Sequence, residues 1–306
     1  MNRRNFIETL LLSASWAAIS GLPDFSDGDI SLHANTFTLN YAPHFGMFKN
    51  HGRADPISQL QFMHKAGFRA LEDNGMRNRP VNQQQNIANT MTRLNIQMGV
   101  FVAHTIGWNE PNLTSDDLQL HQKFLAEIEA SVKVAQRLNA KWMTVVPGRL
   151  DPRLEMGYQT ANVIETLKKA ANILEPYKLV MVLEPLNPLH DHPGQFLTKT
   201  SQAYEICKAV DSPACKILYD VYHQQITEGN LIRNIDYAWD EIAYMQVGDN
   251  PGRNEPTTGE INYKNLFAHL HQKGYSGIIG MEHGNSMKSK KGEKAVIEAY
   301  RYCDPT

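Results

Sequence analysis

The chain has 306 residues, a mass of 34.6 kDa, 42% apolar and 20% charged residues, values typical of a globular protein with a sizeable core. Its formal net charge of −2 argues against a nucleic-acid-binding protein, because such proteins carry an excess of lysine and arginine on one face. The three cysteines (Cys207, Cys215 and Cys303) form no C-x-x-C pair, so we expect buried thiols and no disulfide framework.

Residues 1–33 are predicted to be an export signal and its lead-in. Arg3 and Arg4 form a basic pair, an apolar stretch over 10–19 follows, and small residues lead to Gly21. This order is typical of a twin-arginine signal, and the stretch falls short of the roughly 20 residues that span a bilayer. We therefore expect an exported, periplasmic protein without a stable membrane span when mature. The alternative is a short amphipathic N-terminal helix on a cytoplasmic protein.

Residues 34–306 alternate short apolar runs with helical patterns. Apolar residues recur at helical spacing over 116–139 and over 158–177, and a further helix is expected from Asn262 to a stop at Gly274. The apolar runs predict eight strands, which are 38–41, 70–72, 97–103, 142–147, 179–184, 216–220, 242–247 and 277–282.

Eight alternating units of this kind predict a parallel sheet covered by helices. In a chain of this length they favour an α/β fold of the closed (β/α)₈ TIM barrel type over an open, doubly wound sheet. Neither a G-x-G-x-x-G motif nor a phosphate-binding P-loop motif occurs in the chain. Because the catalytic residues of such barrels lie at the carboxyl ends of the strands, we expect the functional residues there.

Each of the last four predicted strands carries an oxygen-bearing side chain at its last residue or next to it. These side chains are Glu184, Asp220, Gln246 and Glu282. Burying a lone carboxylate is costly, so acids in register on neighbouring strands indicate a compensating cation. Carboxylate and amide oxygens suit one divalent ion, Mg²⁺ or Mn²⁺, better than they suit Zn²⁺ or copper. The alternative is a set of unconnected strand-end residues that face water.

Three further residues are candidates for the same site. His223 lies three positions after Asp220 and can project into the mouth of the site, although a lone histidine is more often structural. Arg253 lies in a loop rich in Gly and Pro, where it is expected to bind an anion or a hydroxyl group. Its alternative is a surface ion pair with Glu255. Glu260, in the same loop, is predicted to hold Arg253 in place.

Seven segments of the chain resemble the hydroxypyruvate isomerase family of the xylose isomerase-like TIM barrel superfamily. They are GFRALE at 67–72, EPLN at 184–187, DVYH at 220–223, QVG at 246–248, PGR at 251–253, GEINY at 259–263 and GME at 280–282. The resemblance, over residues 38–302, implies that the four strand-end residues ligate the metal. It further implies that Glu184 and Glu282 transfer protons. His223 and Arg253 would hold the substrate.

The resemblance implies an isomerase that moves a carbonyl group between adjacent carbons through an enediolate. Hydroxypyruvate would become tartronate semialdehyde. A ketose 3-epimerase, a sugar isomerase and a keto-inositol dehydratase are alternatives that use the same groups. The ends of the first and third strands, at 40–45 and 103–108, match no pattern that we can assign, and such loops determine the choice of substrate.

Two other classes of protein compete with an isomerase. A DNA-repair endonuclease on this barrel would need a multi-zinc cluster with an Asp-x-His after the seventh strand, and segment 254–260 contains no histidine. An exported sugar-binding barrel without activity would not need both Glu184 and Glu282, because binding alone requires no second proton carrier. The expected partner is therefore a small hydroxy-carbonyl compound or sugar, with no nucleic acid and with the oligomeric state left open.

Overall fold

The computed structural model describes residues 36–306, so the predicted export signal lies outside the described residues. Within them are eight strands: β1 (Asn40–Ala42), β2 (Ala70–Leu71), β3 (Gln97–Met98), β4 (Trp142–Val145), β5 (Val180–Leu183), β6 (Cys215–Asp220), β7 (Ile242–Gln246) and β8 (Ile278–Gly280). All pairs are parallel. Six strands follow the order β1-β8-β7-β6-β5-β4, and β2 pairs with β3.

Two isolated bridges close the ring of strands. His44 bridges to Glu72 beside β1 and β2, and Val102 bridges to Thr144 beside β3 and β4. Since both bridges are parallel, they continue the pattern of the sheet. The prediction of a (β/α)₈ barrel is confirmed, although most strands are shorter than predicted, β3 and β8 most of all.

The helices of the described residues pack around the barrel. They are α1 (Pro56–Lys65), α2 (Val81–Leu94), α3 (Leu118–Leu138), α4 (Met156–Leu174), α5 (Thr200–Val210), α6 (Val221–Thr227), α7 (Leu231–Ala238), α8 (Tyr263–Gln272) and α9 (Ser289–Cys303). The predicted cap of α8 is confirmed, because the side chain of Asn262 accepts a hydrogen bond of 3.1 Å from the backbone N–H of Asn265. None of the described helices combines the length and the apolar character needed to cross a membrane.

Alternate residues of the strands fill the inside of the barrel. Val180 and Val182 of β5 pack there with Leu218 of β6 and Tyr244 of β7, all of them buried. This period of two is the ordinary consequence of strand geometry. The three cysteines are buried thiols, as the sequence predicts. The packed interior leaves the carboxyl ends of the strands as the place where polar side chains converge.

The loops that follow β3, β4 and β5 are joined to one another above the barrel. Pro111 pairs with Arg149, and Arg149 pairs in turn with Gln195. The side-chain amide of Gln195 donates a hydrogen bond of 3.1 Å to the backbone oxygen of Trp108. These contacts link the three loops at the carboxyl end of the barrel, and the hydrogen bond from Gln195 holds the backbone of Trp108.

Candidate active site

The acidic residues predicted for the site do meet at the carboxyl end of the barrel. One ligand atom from each of Glu184, Asp220, His223 and Glu282 lies within 4.8 Å of the others. Gln246 belongs to the same layer, because it is the partner of Asp220 in the pairing of β6 with β7. The strand ends therefore bring the predicted residues together, while their roles as ligands and proton carriers stay predictions.

Asp220 uses its two oxygens differently. Its Oδ1 accepts hydrogen bonds from the backbone N–H groups of Tyr222 (2.7 Å) and His223 (3.3 Å), which caps the N-terminus of α6. Its Oδ2 is buried and has no hydrogen-bond partner. Burial raises the pKa of this carboxyl, against the opposing effect of the Arg253 guanidinium. The cap thus turns one unpartnered oxygen towards the site.

Gln246 also presents a buried oxygen without a partner. Its Nε2 donates a hydrogen bond of 2.9 Å to Oε1 of Glu72, while its Oε1 has no partner. Buried polar atoms in folded proteins are nearly always hydrogen-bonded or bound to an ion. The unpartnered oxygens of Gln246 and Asp220, on neighbouring strands, therefore fit a hard divalent cation.

His223 is held as a neutral hydrogen-bond donor. The side-chain oxygen of Asn187 accepts from the backbone N–H groups of His190 (3.0 Å) and Asp191 (3.1 Å), which fixes the orientation of its amide. The amide nitrogen of Asn187 then donates to Nδ1 of His223 over 2.7 Å. This contact is much shorter than the 3.4 Å between Nε2 and a terminal nitrogen of Arg253, so it decides the tautomer, and the proton of His223 lies on Nε2. Burial lowers the pKa of His223 to about 3.

This tautomer separates His223 from the metal ligands. Its Nε2 lies 3.6 Å from Oδ2 of Asp220 and 3.8 Å from Oε1 of Glu184. A nitrogen that carries a proton cannot ligate a metal but can donate a hydrogen bond to a substrate oxygen. With its proton on Nε2, His223 is a hydrogen-bond donor in the site, while its assignment to the substrate and that of Gln246 to the metal stay predictions.

Arg253 is paired with the acids of the site. One terminal nitrogen lies 2.7 Å from Oε2 of Glu282 and 3.6 Å from Oδ2 of Asp220. The guanidinium also lies over the ring of Tyr222, 4.8 Å from its centroid. The other oxygen of Glu282 accepts a hydrogen bond of 2.6 Å from Nδ2 of Asn74. Arg253 therefore faces the site, as predicted.

The two acidic residues assigned to Arg253 by the sequence do not contact it. The prediction that Glu260 holds Arg253 is wrong, because Oε1 of Glu260 accepts hydrogen bonds from Asn250 (2.6 Å) and Gln225 (3.1 Å). The alternative of an ion pair with Glu255 is also wrong. The carboxylate of Glu255 is buried and bonds to Ser286 instead. Each acid instead connects neighbouring segments of the chain, Glu260 with Asn250 and Gln225, and Glu255 with Ser286.

The acids of the site repel one another. Burial raises the pKa of Glu184 well above its usual range, and the neighbouring charges of Glu282 and Asp220 raise it further. Burial likewise raises the pKa of Glu282, although the guanidinium of Arg253 opposes this. A bound cation would relieve this repulsion.

Sequence reasoning missed two parts of the site. The first is Glu72, which follows β2 and is an acid at a strand end, the same signal that identifies Glu184 and Glu282. The second part is the aromatic pair of Trp108 and His192. Their rings stack at 4.9 Å, and the ring of His192 lies 5.3 Å from that of His223. No spacing in the sequence connects these loop residues.

Comparison with known proteins supports the fold and the class of enzyme. A family model described as the xylose isomerase-like TIM barrel matches residues 60–304. The chain belongs to this family. It is similar to hydroxypyruvate isomerase of Escherichia coli strain K12, with 33% identity over 184 residues, which make up 60% of this chain and 68% of that protein. The resemblance predicted from the seven segments is confirmed, as is the expectation of an isomerase-type enzyme.

Solved structures of this fold resemble the chain over most of its length. A protein from Brucella melitensis described as an AP endonuclease of family 2 has a TM-score of 0.74 and 25% identity, covering 83% of this chain and 96% of its own. D-Psicose 3-epimerase from Clostridium cellulolyticum H10 has a TM-score of 0.71 and 17% identity, covering 87% and 98%. The likeness to the epimerase concerns the fold alone.

Proposed function

We propose that the chain is a metal-dependent isomerase of a small 2-hydroxy-carbonyl compound. The observation that carries this proposal is the convergence of Glu184, Asp220 and Glu282 with the unpartnered oxygen of Gln246 at four adjacent strand ends. Hydroxypyruvate and tartronate semialdehyde are the favoured pair of substrate and product. Similarity to the hydroxypyruvate isomerase of Escherichia coli supports this choice.

These four residues would hold one Mg²⁺ or Mn²⁺ ion. When bound, the ion supplies positive charge beside the carbonyl and hydroxyl oxygens of the substrate, where negative charge develops during proton removal. The donor set contains three carboxylates and one amide oxygen, which is the chemistry that hard divalent cations prefer. His223 is left free to act on the substrate.

Glu184 and Glu282 would carry the proton between the two substrate carbons. They reach the site from β5 and β8, which are separated by β6 and β7, so they approach a bound substrate from different sides. One carboxylate removes a proton from one carbon, and the other returns a proton to its neighbour through the enediolate. His223 and Arg253 donate hydrogen bonds to substrate oxygens and hold the reacting carbons between the two acids.

The test is the turnover of Glu184→Gln and Glu282→Gln with the metal content of each measured. Both variants keep an oxygen in place but lose the proton carrier, so turnover should fall by roughly 10²–10⁴. Glu260→Gln is the matched control, because that carboxylate lies outside the site. Parental turnover of the true substrate by fully loaded Glu282→Gln would show that the two-carboxylate mechanism is wrong.

The substrate is identified by a screen with Mg²⁺ and with Mn²⁺. Hydroxypyruvate, ketoses and keto-inositols are incubated in D₂O, and exchange of the substrate C–H is followed by NMR. An isomerase exchanges this hydrogen, whereas a sugar-binding barrel without activity does not. Ketose epimerisation and keto-inositol dehydration would use the same two acids, and the products distinguish them. Lack of exchange with every compound would contradict the proposal.

A further inference from the structure

A buried carboxylate outside the predicted ligand set contacts Gln246. Glu72 is only 1% exposed, and its Oε1 accepts the 2.9 Å hydrogen bond from Nε2 of Gln246. Its Oε2 accepts a hydrogen bond of 3.0 Å from the hydroxyl of Tyr244. Both contacts reach across the barrel from β2 to β7. The fold leaves space for this carboxylate, because a Cβ at Gly280 of β8 would collide with Oε2 of Glu72.

We propose that Glu72 is a positioning residue that orients the amide of Gln246, so that the oxygen and not the NH₂ group faces the metal. This inference rests on the proposed function, since it takes Gln246 as a ligand. The two ends of an amide have nearly the same size and opposite polarity. Oε2 of Glu72 accepts from the hydroxyl of Tyr244, so Oε1 is left as the acceptor that selects the orientation with Nε2 of Gln246 towards itself. Tyr244 holds the carboxylate in turn.

Stability alone gives no reason for a carboxylate at this position. Glu72 is almost fully buried, and burying a carboxylate carries a large desolvation cost. A neutral side chain of similar size would cost less to bury. The unfavourable charge is explained if the acid serves the ligand that it contacts. Residues that orient metal ligands in this way usually change metal affinity by 10–100-fold when they are replaced.

The test measures Mn²⁺ affinity by calorimetric titration, which does not depend on activity. In Glu72→Leu the acceptor is lost and the amide of Gln246 is free to turn, so affinity should fall by about 10–100-fold. Glu72→Gln is the conservative variant. Its side-chain oxygen can still accept from Gln246 while its NH₂ donates to Tyr244, so it should retain most of the parental affinity. If Glu72→Leu binds Mn²⁺ as the parent does, the inference is overturned.

A double-mutant cycle separates positioning from a simple effect of charge. If Glu72 acts through the amide, Glu72→Leu should cost no further affinity in a Gln246→Ala background. If its charge acts directly on the ion, the loss should be equal in both backgrounds, and the loss in Glu72→Gln should match that in Glu72→Leu. Either of these results contradicts positioning.

Two controls keep the outcomes distinct. Thermal unfolding of the metal-free variants checks the fold, and Glu72→Leu should lose some stability because the buried donors of Gln246 and Tyr244 lose their acceptor. Should Glu72→Leu fail to fold, Glu72→Met with Gln246→Ala completes the same cycle. Absence of Mn²⁺ and Mg²⁺ binding by the parental chain would overturn the proposed function, and this inference with it. Normal parental binding with unchanged binding by the variants overturns the inference alone.

Discussion

Asp220 combines a structural and a chemical task in one carboxylate. Its capped oxygen begins α6 and places His223 within that helix, three residues from the cap. Its other oxygen is left without a partner in the site. The same hydrogen bonds that start the helix therefore determine where the histidine and the free oxygen lie. Asn is also a good cap, so Asp220→Asn should keep the structural task and lose only the chemical one. Asp220→Ala should lose both, and loss of the cap costs about 1 kcal/mol.

Arg253 should affect the substrate more than the metal. It pairs with Glu282 and Asp220 but offers no ligand atom, because a guanidinium only donates hydrogen bonds. We expect Arg253→Ala to keep its metal and to lose turnover, and we expect a substrate with a carboxylate to suffer more than a neutral sugar, because only the former gains a charge pair. Metal analysis and steady-state kinetics on both kinds of substrate measure this. Loss of the metal with an unchanged KM would mean that Arg253 supports the metal and not the substrate.

At the scale of elements, His104 ties the end of β3 to the end of β4. Its Nε2 accepts a hydrogen bond of 3.2 Å from the backbone N–H of Val146, so Nδ1 carries the proton and donates to the backbone oxygen of Thr105 over 3.0 Å. The neutral ring thus completes a part of the barrel where regular pairing is short. Burial lowers the pKa of His104 to about 4.

This histidine should make the fold sensitive to acid. The pKa is about 6.5 in the unfolded chain and about 4 in the fold. The unfolded chain binds more protons between these values, so stability is present above pH 6.5 and falls as the pH drops towards 4. The loss is on the order of 3 kcal/mol. Denaturant titrations at several pH values measure it. His104→Gln should flatten this part of the profile, and an unchanged profile would contradict the role given to His104.

Prediction from the sequence succeeds for residues whose position follows from a local pattern, and it fails for residues whose role depends on contacts that are distant in the chain. The acids at the ends of β5, β6 and β8 are recognisable because each follows an apolar run. The role of Glu72 is not, because its partner Gln246 lies 174 positions away in the sequence. The error over Glu260 has a related cause. Arg253 adopts a left-handed backbone conformation with φ of 46°, and no sequence pattern predicts the direction in which that loop turns its side chains.

At the scale of the whole molecule, we propose that the chain is exported to the periplasm as a folded protein. The motif that motivates this is the pair Arg3 and Arg4 ahead of an apolar stretch. Replacing both with Lys should leave the protein in the cytoplasm, because the twin-arginine route reads the arginine pair. Cell fractionation with immunoblotting measures the outcome. Equal export of both forms would mean that another route reads the leader, and retention of the parental chain in the cytoplasm would contradict export.

Metal binding should stabilise the fold as a whole, since the metal-free barrel buries several like charges within one site. Glu184, Asp220 and Glu282 contribute oxygens within 4.8 Å of one another, with Arg253 as the cation beside them. An ion that binds only the folded chain adds about 2.7 kcal/mol at a concentration of 100 Kd. For a domain of this size, that corresponds to a rise in Tm of roughly 5 °C or more.

The measurement is thermal unfolding of residues 36–306 or the full chain with EDTA, with Mg²⁺ and with Mn²⁺. The Tm should rise with the concentration of the preferred ion and return to its starting value with excess EDTA. Asp220→Ala should show no such rise, because it lacks the unpartnered oxygen, whereas Glu260→Gln should behave as the parent does. A parental Tm that is the same with EDTA and with saturating Mg²⁺ or Mn²⁺ would mean that the converging acids do not bind a divalent ion in the fold.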